Sequence, residues 1–233
     1  SFVSVGCSNW LANRARKSGL LSGTNIQAIP NPLNISLFKP FPKKEARITL
    51  GLPADKEFIL FAAMRVNAIG KGFQYLVEAL KNLVEGNPEI TNQVELLVFG
   101  QSSPEVLADF PLKVHSLGHL TDANKIVAAY NAASMFVTPS LEENLPNTIM
   151  EAFACGTPSV GFEVGGIPEM IDHQKNGFLS KYRSIESLAE GIKWVLANNQ
   201  DGRLSENARE KAVNYYSEEV VAQQYYRLYQ SLL

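Results

Sequence analysis

Short, unbroken apolar runs alternate along this chain with amphipathic segments whose apolar residues recur at three- and four-residue intervals, a pattern that sets in near Lys56. A short apolar run bounded by polar or glycine residues reads as a buried strand, and the amphipathic segment after it as a helix with one face on a core. Strands are therefore predicted at 58–64, 94–99, 114–117, 135–138 and 158–162. Helices are predicted between and after them, at 73–85, 104–109, 124–133, 147–154 and 168–172. Such alternation defines an α/β domain with a doubly wound, mainly parallel sheet. Three more helical patterns, 185–198, 204–215 and 218–232, follow without a long strand between them and are expected to pack over the sheet.

The first 45 residues are less regular. Residues 7–17 (CSNWLANRARK) predict a short helix capped near Ser8, residues 25–29 a strand, and Pro30-Asn31-Pro32 a turn. The lysine- and proline-containing stretch 40–47 is the best candidate for an exposed internal connection. The order of elements as a whole gives a Rossmann-like sheet with extra C-terminal helices.

Composition changes this picture only a little. With 233 residues and 45% hydrophobic content, the chain is long enough for a sizeable core. Its 21 basic and 23 acidic residues leave a net charge of -2, which gives no footprint for nucleic acid, so any phosphate must be met locally. Cys7 and Cys155 stand far apart without metal-type spacing, which points to a reducing compartment; Cys155, behind an alanine-rich helical stretch, is expected to be buried packing. No apolar run approaches the roughly 20 residues that span a bilayer, and no export signal precedes the first element, so a soluble domain is expected, either a processed product or a fragment. His115, His119 and His173 lack zinc spacing and read as turn or surface residues.

The densest chemistry lies at 139–152, where PSLEENLPNTIMEA runs from a strand end through a tight loop into a helix. Ligands on such sheets sit outside the carboxyl ends of the strands. A helix starting near Asn147 would offer unpaired N–H groups and a positive dipole end to an anion such as a diphosphate. Glu143 in the loop and Glu151 about one turn into the helix border that start, and carboxylates accept charge-assisted bonds from sugar or ribose hydroxyls. Taken alone, Glu142 and Glu143 read as solvated loop charges and Glu151 as a favourable charge in the helix start.

Arg65 and Lys71 flank the loop 66–70 that follows the first strand of the sheet. A guanidinium and an ammonium at the carboxyl edge suit a leaving diphosphate, and Gly70 and Gly72 let backbone come close to it. Each cation by itself is an ordinary surface charge. A third loop, 161–169, places Gly165-Gly166 before Pro168 and is a second candidate helix start or a tight turn. Gly100 and Gly118 mark turns along the same edge. Neither GxGxxG after a strand nor GxxxxGK(S/T) occurs, which removes the main support for NAD and P-loop chemistry. No D-x-D pair is present for a metal-bridged diphosphate.

Together these stretches resemble the retaining glycosyltransferases of the GT-B fold, the family called glycosyl transferases group 1. SLEENLPNTIMEAFACGTP resembles the family's E-x7-E signature, with Glu143 and Glu151 on its glutamates, and AAMRVNAIGKG resembles its phosphate clamp, with Arg65 and Lys71 on the basic pair. VGGIPEMIDHQKNGFL resembles the block after the signature helix, and IPNPLNISLF the segment that leads into the donor domain. The resemblance implies a nucleotide-sugar donor of UDP or GDP type, held without metal or other cofactor, and an acceptor sugar or lipid-linked saccharide. Arg65 and Lys71 would neutralise the diphosphate, Glu143 would orient the donor sugar and Glu151 would bind the ribose. The backbone across Leu145, Pro146, Asn147 and Thr148 would hold phosphate, and Gly118, His119 and Leu120 would lie near the base. Many members carry Gly-Phe-Gly after the first glutamate where this chain has Asn144-Leu145-Pro146. Pro146 has no N–H to donate, which bears on which backbone groups meet phosphate and on which sugar is accepted.

The family enzyme has two Rossmann-like domains around a cleft. The resemblance places 1–45 at the end of the first domain and the crossover, 46–215 in the nucleotide-sugar-binding domain, and 216–233 in a helix that packs back toward an N-terminal domain absent from this chain. Transfer is expected to need that domain. Polysaccharide or glycolipid assembly is implied, in the cytoplasm at the inner face of the membrane, with peripheral contact. Two rivals remain: another enzyme on the same architecture, such as an epimerase or phosphorylase, and a non-catalytic module that keeps the donor cleft.

Overall fold

The computed structural model describes residues 2–233. The chain opens with a small unit in which β1 (Val3–Gly6) and β2 (Asn25–Ala28) pair in parallel around α1 (Asn9–Arg16). Ser8 caps α1 as expected, its Oγ accepting from the Leu11 N–H. β1 has no counterpart among the predicted strands, because so short a segment carries too little pattern to stand out.

The stretch expected to be an exposed connection instead folds in large part as α2 (Lys43–Thr49), a correction with a clear cause. Ala46 and Arg47 are buried, and the Arg47 guanidinium donates to the carbonyls of Ala132 and Ala54 at 3.3 and 2.7 Å. The charged composition of this segment concealed one inward face.

From there the chain alternates as the apolar pattern requires: β3 (Glu57–Arg65), α3 (Phe73–Gly86), β4 (Val94–Gln101), α4 (Pro104–Leu107), β5 (Val114–Ser116), α5 (Ala123–Ala132), β6 (Met135–Thr138), α6 (Asn147–Ala154), β7 (Ser159–Phe162) and α7 (Ile167–Met170). One further strand, β8 (Gly177–Ser180), was not predicted. It is short and lacks a long apolar run, and it exists because its whole length pairs with β7. The helices α8 (Ile185–Asn198), α9 (Arg203–Tyr216) and α10 (Glu218–Gln230) complete the chain.

The main sheet is parallel throughout, in the order β5-β4-β3-β6-β7-β8. Along β3, Phe58, Leu60 and Ala62 enter one core while Ile59, Phe61 and Ala63 enter another, as a period of two demands of a strand covered on both faces. The first core is closed by α2, α5, α6 and α9, the second by α3 and α8. A smaller cluster joins the two ends of the chain, where Val221 and Leu228 of α10 pack on Ile29 beside β2. Among the described residues no helix is long and apolar enough to cross a membrane.

Candidate functional site

The strand order reverses between β3 and β6. From β3 the sheet grows through β4 to β5, and from β6 through β7 to β8. Connections leaving β3 and β6 therefore diverge to opposite faces and leave a crevice outside their carboxyl ends, the place where open α/β sheets bind ligands. The loops after β3 and β6 are bound to each other, the Leu141 N–H donating to the Gly70 carbonyl at 2.8 Å. Gly72 makes this approach possible. Its φ is +70°, and a Cβ there would overlap the carbonyl oxygen of Pro139.

Lys71, at the end of a 3-10 turn rather than in a helix, donates through Nζ to Oε1 of Glu143. The Lys71 side chain is 42% exposed and that of Glu143 14%, so the acidic member of the pair is set deeper. Ser140 Oγ, buried beneath, donates to the same carboxylate oxygen at 3.1 Å. Arg65 ends β3 on the same rim and forms no ion pair among the described residues. The pairing of β3 with β4 shifts between Ala62 and Arg65, a bulge that turns the strand end.

The start of α6 lies beside this pair. Pro146 occupies the position before its first turn, and no side chain caps the helix, so its first N–H groups have no side-chain partner. Leu145 and Pro146 are buried, Asn147 is exposed and Thr148 half-buried. Asn147 Oδ1 accepts from Asn31 Nδ2 at 3.2 Å. Glu151, a turn further on, accepts from the hydroxyl of fully buried Tyr130 at 2.8 Å. Burial raises the Glu151 pKa above the usual carboxylate value, and the Tyr130 hydrogen bond offsets only part of that rise. Gly118, His119 and Leu120 follow β5, two strands out from β3 along the same edge.

Sequence reasoning did not foresee how the first residues of the chain border this crevice. Ser8 Oγ donates to Asn144 Oδ1, and Asn144 Nδ2 donates to Cys7 Sγ at 2.8 Å. The Glu169 carboxylate accepts from the backbone N–H groups of Asn9 and Trp10 at 2.9 and 2.6 Å, so α7 anchors the start of α1. A hollow of about 480 Å³ lies between them, lined by Glu142, Glu143, Asn144, Val164 and Gly165 on one side and by Trp10 and Arg14 of α1 on the other. A larger hollow of about 550 Å³, lined in part by Phe41, Asn131, Cys155 and Arg209, contains none of the residues singled out at the sheet edge. Among the described residues no cluster of three or more His, Cys, Asp or Glu could hold a metal ion. His115 is neither a turn nor a free surface residue. It lies in β5 and its Nε2 meets the buried Glu95 carboxylate.

A doubly wound parallel sheet with a lysine–glutamate ion pair at its point of reversal, and an uncapped helix start in the loop that follows, defines a Rossmann-like α/β domain. The model of the family described as glycosyl transferases group 1 matches residues 56–198, and the chain belongs to that family. The D-inositol 3-phosphate glycosyltransferase of Saccharomonospora viridis is 29% identical over 203 residues, 82% of this chain and 46% of that protein. The D-inositol 3-phosphate glycosyltransferase of an Arthrobacter species is 32% identical over 165 residues, 66% of this chain and 38% of that protein. The chain thus spans about half the length, or less, of these relatives. Sucrose-phosphate synthase from Thermosynechococcus elongatus superposes with a TM-score of 0.81 at 27% identity, over 99% of this chain and 58% of that one. HepE of Anabaena, in a complex with UDP-glucose, superposes with a TM-score of 0.76 at 22% identity, over 97% and 63% of the two chains, and shares the fold.

Proposed function

We propose that this chain is the donor-binding part of a retaining glycosyltransferase, which moves a sugar from a UDP- or GDP-type nucleotide to an acceptor sugar or lipid-linked saccharide. The ion pair of Lys71 with Glu143 at the point of sheet reversal carries this reading. It sets a cation for phosphate next to a carboxylate for hydroxyls, within reach of one ligand. When the bond from the anomeric carbon to the diphosphate oxygen breaks, the electron pair leaves with the diphosphate. Arg65, Lys71 and the first N–H groups of α6 offset that charge, the kind of preset electrostatic field that contributes most to such rates.

In this reading Glu143 orients the donor sugar. Glu151, with one oxygen engaged by Tyr130, accepts from the ribose through the other. Pro146 contributes no N–H, which leaves Leu145, Asn147 and Thr148 to meet phosphate. Gly118, His119 and Leu120 flank the base. The two cations serve the diphosphate in place of a bound metal. HepE, of the same fold, is known in complexes with UDP and with UDP-glucose, which supports a uridine donor. Transfer itself calls for an acceptor-bearing domain, and the work belongs to polysaccharide or glycolipid assembly at the inner face of a membrane.

A thermal-shift and calorimetric panel of UDP, GDP, UDP-glucose and GDP-mannose tests this. Ligand that binds only the folded chain raises its melting temperature with affinity. A rise with at least one nucleoside diphosphate is expected, and no response to any of the four sinks the proposal.

A further inference from the structure

We infer that Asn144 is a positioning residue for the donor sugar: its side-chain amide latches the loop that carries Glu143 to the small β1–α1–β2 unit, and so keeps that carboxylate in place when Lys71 turns to the diphosphate. This rests on the donor reading above, in which Glu143 orients the sugar and Lys71 serves the phosphates.

The amide of Asn144 is engaged at both ends. Its Oδ1 accepts from Ser8 Oγ, and its Nδ2 donates to Cys7 Sγ at 2.8 Å, across 136 and 137 residues of chain. Ser8 is buried, and its Oγ is held in turn by the Leu11 N–H at 3.0 Å, so the latch closes on the cap of α1. Among the described residues no other hydrogen bond joins the loop 140–146 to that unit. The backbone of the same two loop residues is packed against a glycine pair. A Cβ on Gly165 would overlap the carbonyl oxygen of Glu143, and a Cβ on Gly166 would overlap that of Asn144.

One oxygen of Glu143, Oε1, receives both Lys71 Nζ and Ser140 Oγ. A diphosphate competes for Lys71, the more exposed member of the pair. Once Lys71 is drawn away, Glu143 keeps Ser140, and its place depends on what holds the loop. Bonds from Leu141 to the Gly70 carbonyl and from Tyr182 to the Leu141 carbonyl fix the start of the loop, and Asn144 fixes it directly after Glu143. An amide offers a donor and an acceptor at once. It does so without adding a charge beside the carboxylate.

Calorimetry with UDP and UDP-glucose, and with GDP and GDP-mannose, tests the inference on this chain. Asn144→Ala should weaken the sugar nucleotide about five-fold or more, as for one lost hydrogen bond, and its nucleoside diphosphate about two-fold or less. Damage to the fold as a whole would weaken both alike, and a thermal melt reads it separately. Cys7→Ser keeps an acceptor for Nδ2 and should retain the parent's selectivity, whereas Cys7→Val removes the acceptor and should show the selective loss. Cys7→Val combined with Asn144→Ala should lose no more than Asn144→Ala alone, because both remove the same bond. Equal weakening of both ligands, parent-like binding by Asn144→Ala, additive losses in the double variant, or binding of nucleoside diphosphate without any sugar nucleotide would each overturn the role of Asn144. Failure of the unaltered chain to bind any of these nucleotides overturns the donor reading and this role with it.

Discussion

Lys71 and Glu143, separated by 72 residues of chain, meet as an ion pair where the order of the sheet reverses. Each belongs to a loop that could have pointed elsewhere, and the hydrogen bond from Leu141 to Gly70 locks the two loops together.

Lys71→Ala removes the cation nearest the proposed diphosphate and leaves Glu143 facing the ligand unopposed. UDP affinity is expected to fall about ten-fold or more, as for loss of a hydrogen bond to a charged group. The melting temperature should move little, because Lys71 is 42% exposed and Glu143 keeps its hydrogen bond from Ser140, and a partly exposed ion pair stabilises a fold by about 1 kcal/mol or less. Calorimetry beside a thermal melt separates the two effects, and unchanged affinity excludes Lys71 from phosphate binding.

Glu151 ties stability to pH. Its folded pKa is raised, mainly by burial, so the folded chain binds the proton more tightly than the unfolded chain. Its contribution is fully present below the unfolded carboxylate value and is lost as pH rises through the raised folded value. Glu151→Gln, which keeps an acceptor for Tyr130 but cannot ionise, should melt higher than the parent at pH 7 and no higher at pH 4. The same variant should weaken UDP binding more than pyrophosphate binding, and equal weakening rejects the ribose role.

Gly165 has a φ of +60°, and a Cβ at this position would overlap the carbonyl oxygen of Glu143. Gly165→Ala must therefore strain its own backbone and push back the loop that carries Glu143. A loss of about 2 kcal/mol or more in unfolding free energy is expected, with a drop in UDP affinity in the fraction that remains folded. Urea melts at parent stability would show that the two loops do not meet as closely as described.

The two thiols should differ in reactivity. Cys155 is buried, and burial first, then the Glu151 carboxylate, pushes its pKa up to about 12. At pH 8 it presents almost no thiolate. Cys7 is only half-buried. A disulfide reagent should titrate one thiol of the native chain and the second only after denaturation, and Cys7→Ser should remove the fast phase. Two fast thiols would mean that the end of α6 opens readily.

Much of this was legible in local pattern. The apolar runs located five of the six strands of the main sheet, because a buried strand needs a continuous run wherever it lies. The cap at Ser8 was legible because one side chain serves a backbone group three residues away. Errors fell where a tertiary contact overrode composition. Charged 40–47 became largely helix because Arg47 found carbonyls to satisfy its buried guanidinium. His115 became a strand residue facing Glu95, and β8 formed on the template of β7.

The sequence by itself determined most of the elements and their order, all but β1, α2 and β8, and the presence of Arg65, Lys71, Glu143 and Glu151 in or beside loops that follow strands. Periodicity and turn chemistry are local properties, and they survive without knowledge of the fold. Only the tertiary structure decided which strands are neighbours, and hence that β3 and β6 flank the reversal and bring Lys71 to Glu143. It likewise decided that Trp10 and Arg14 face that edge across a hollow. Parallel strands pair through backbone groups that every residue shares, so the choice of partner leaves no mark on the local pattern and is made by the packing of both faces at once.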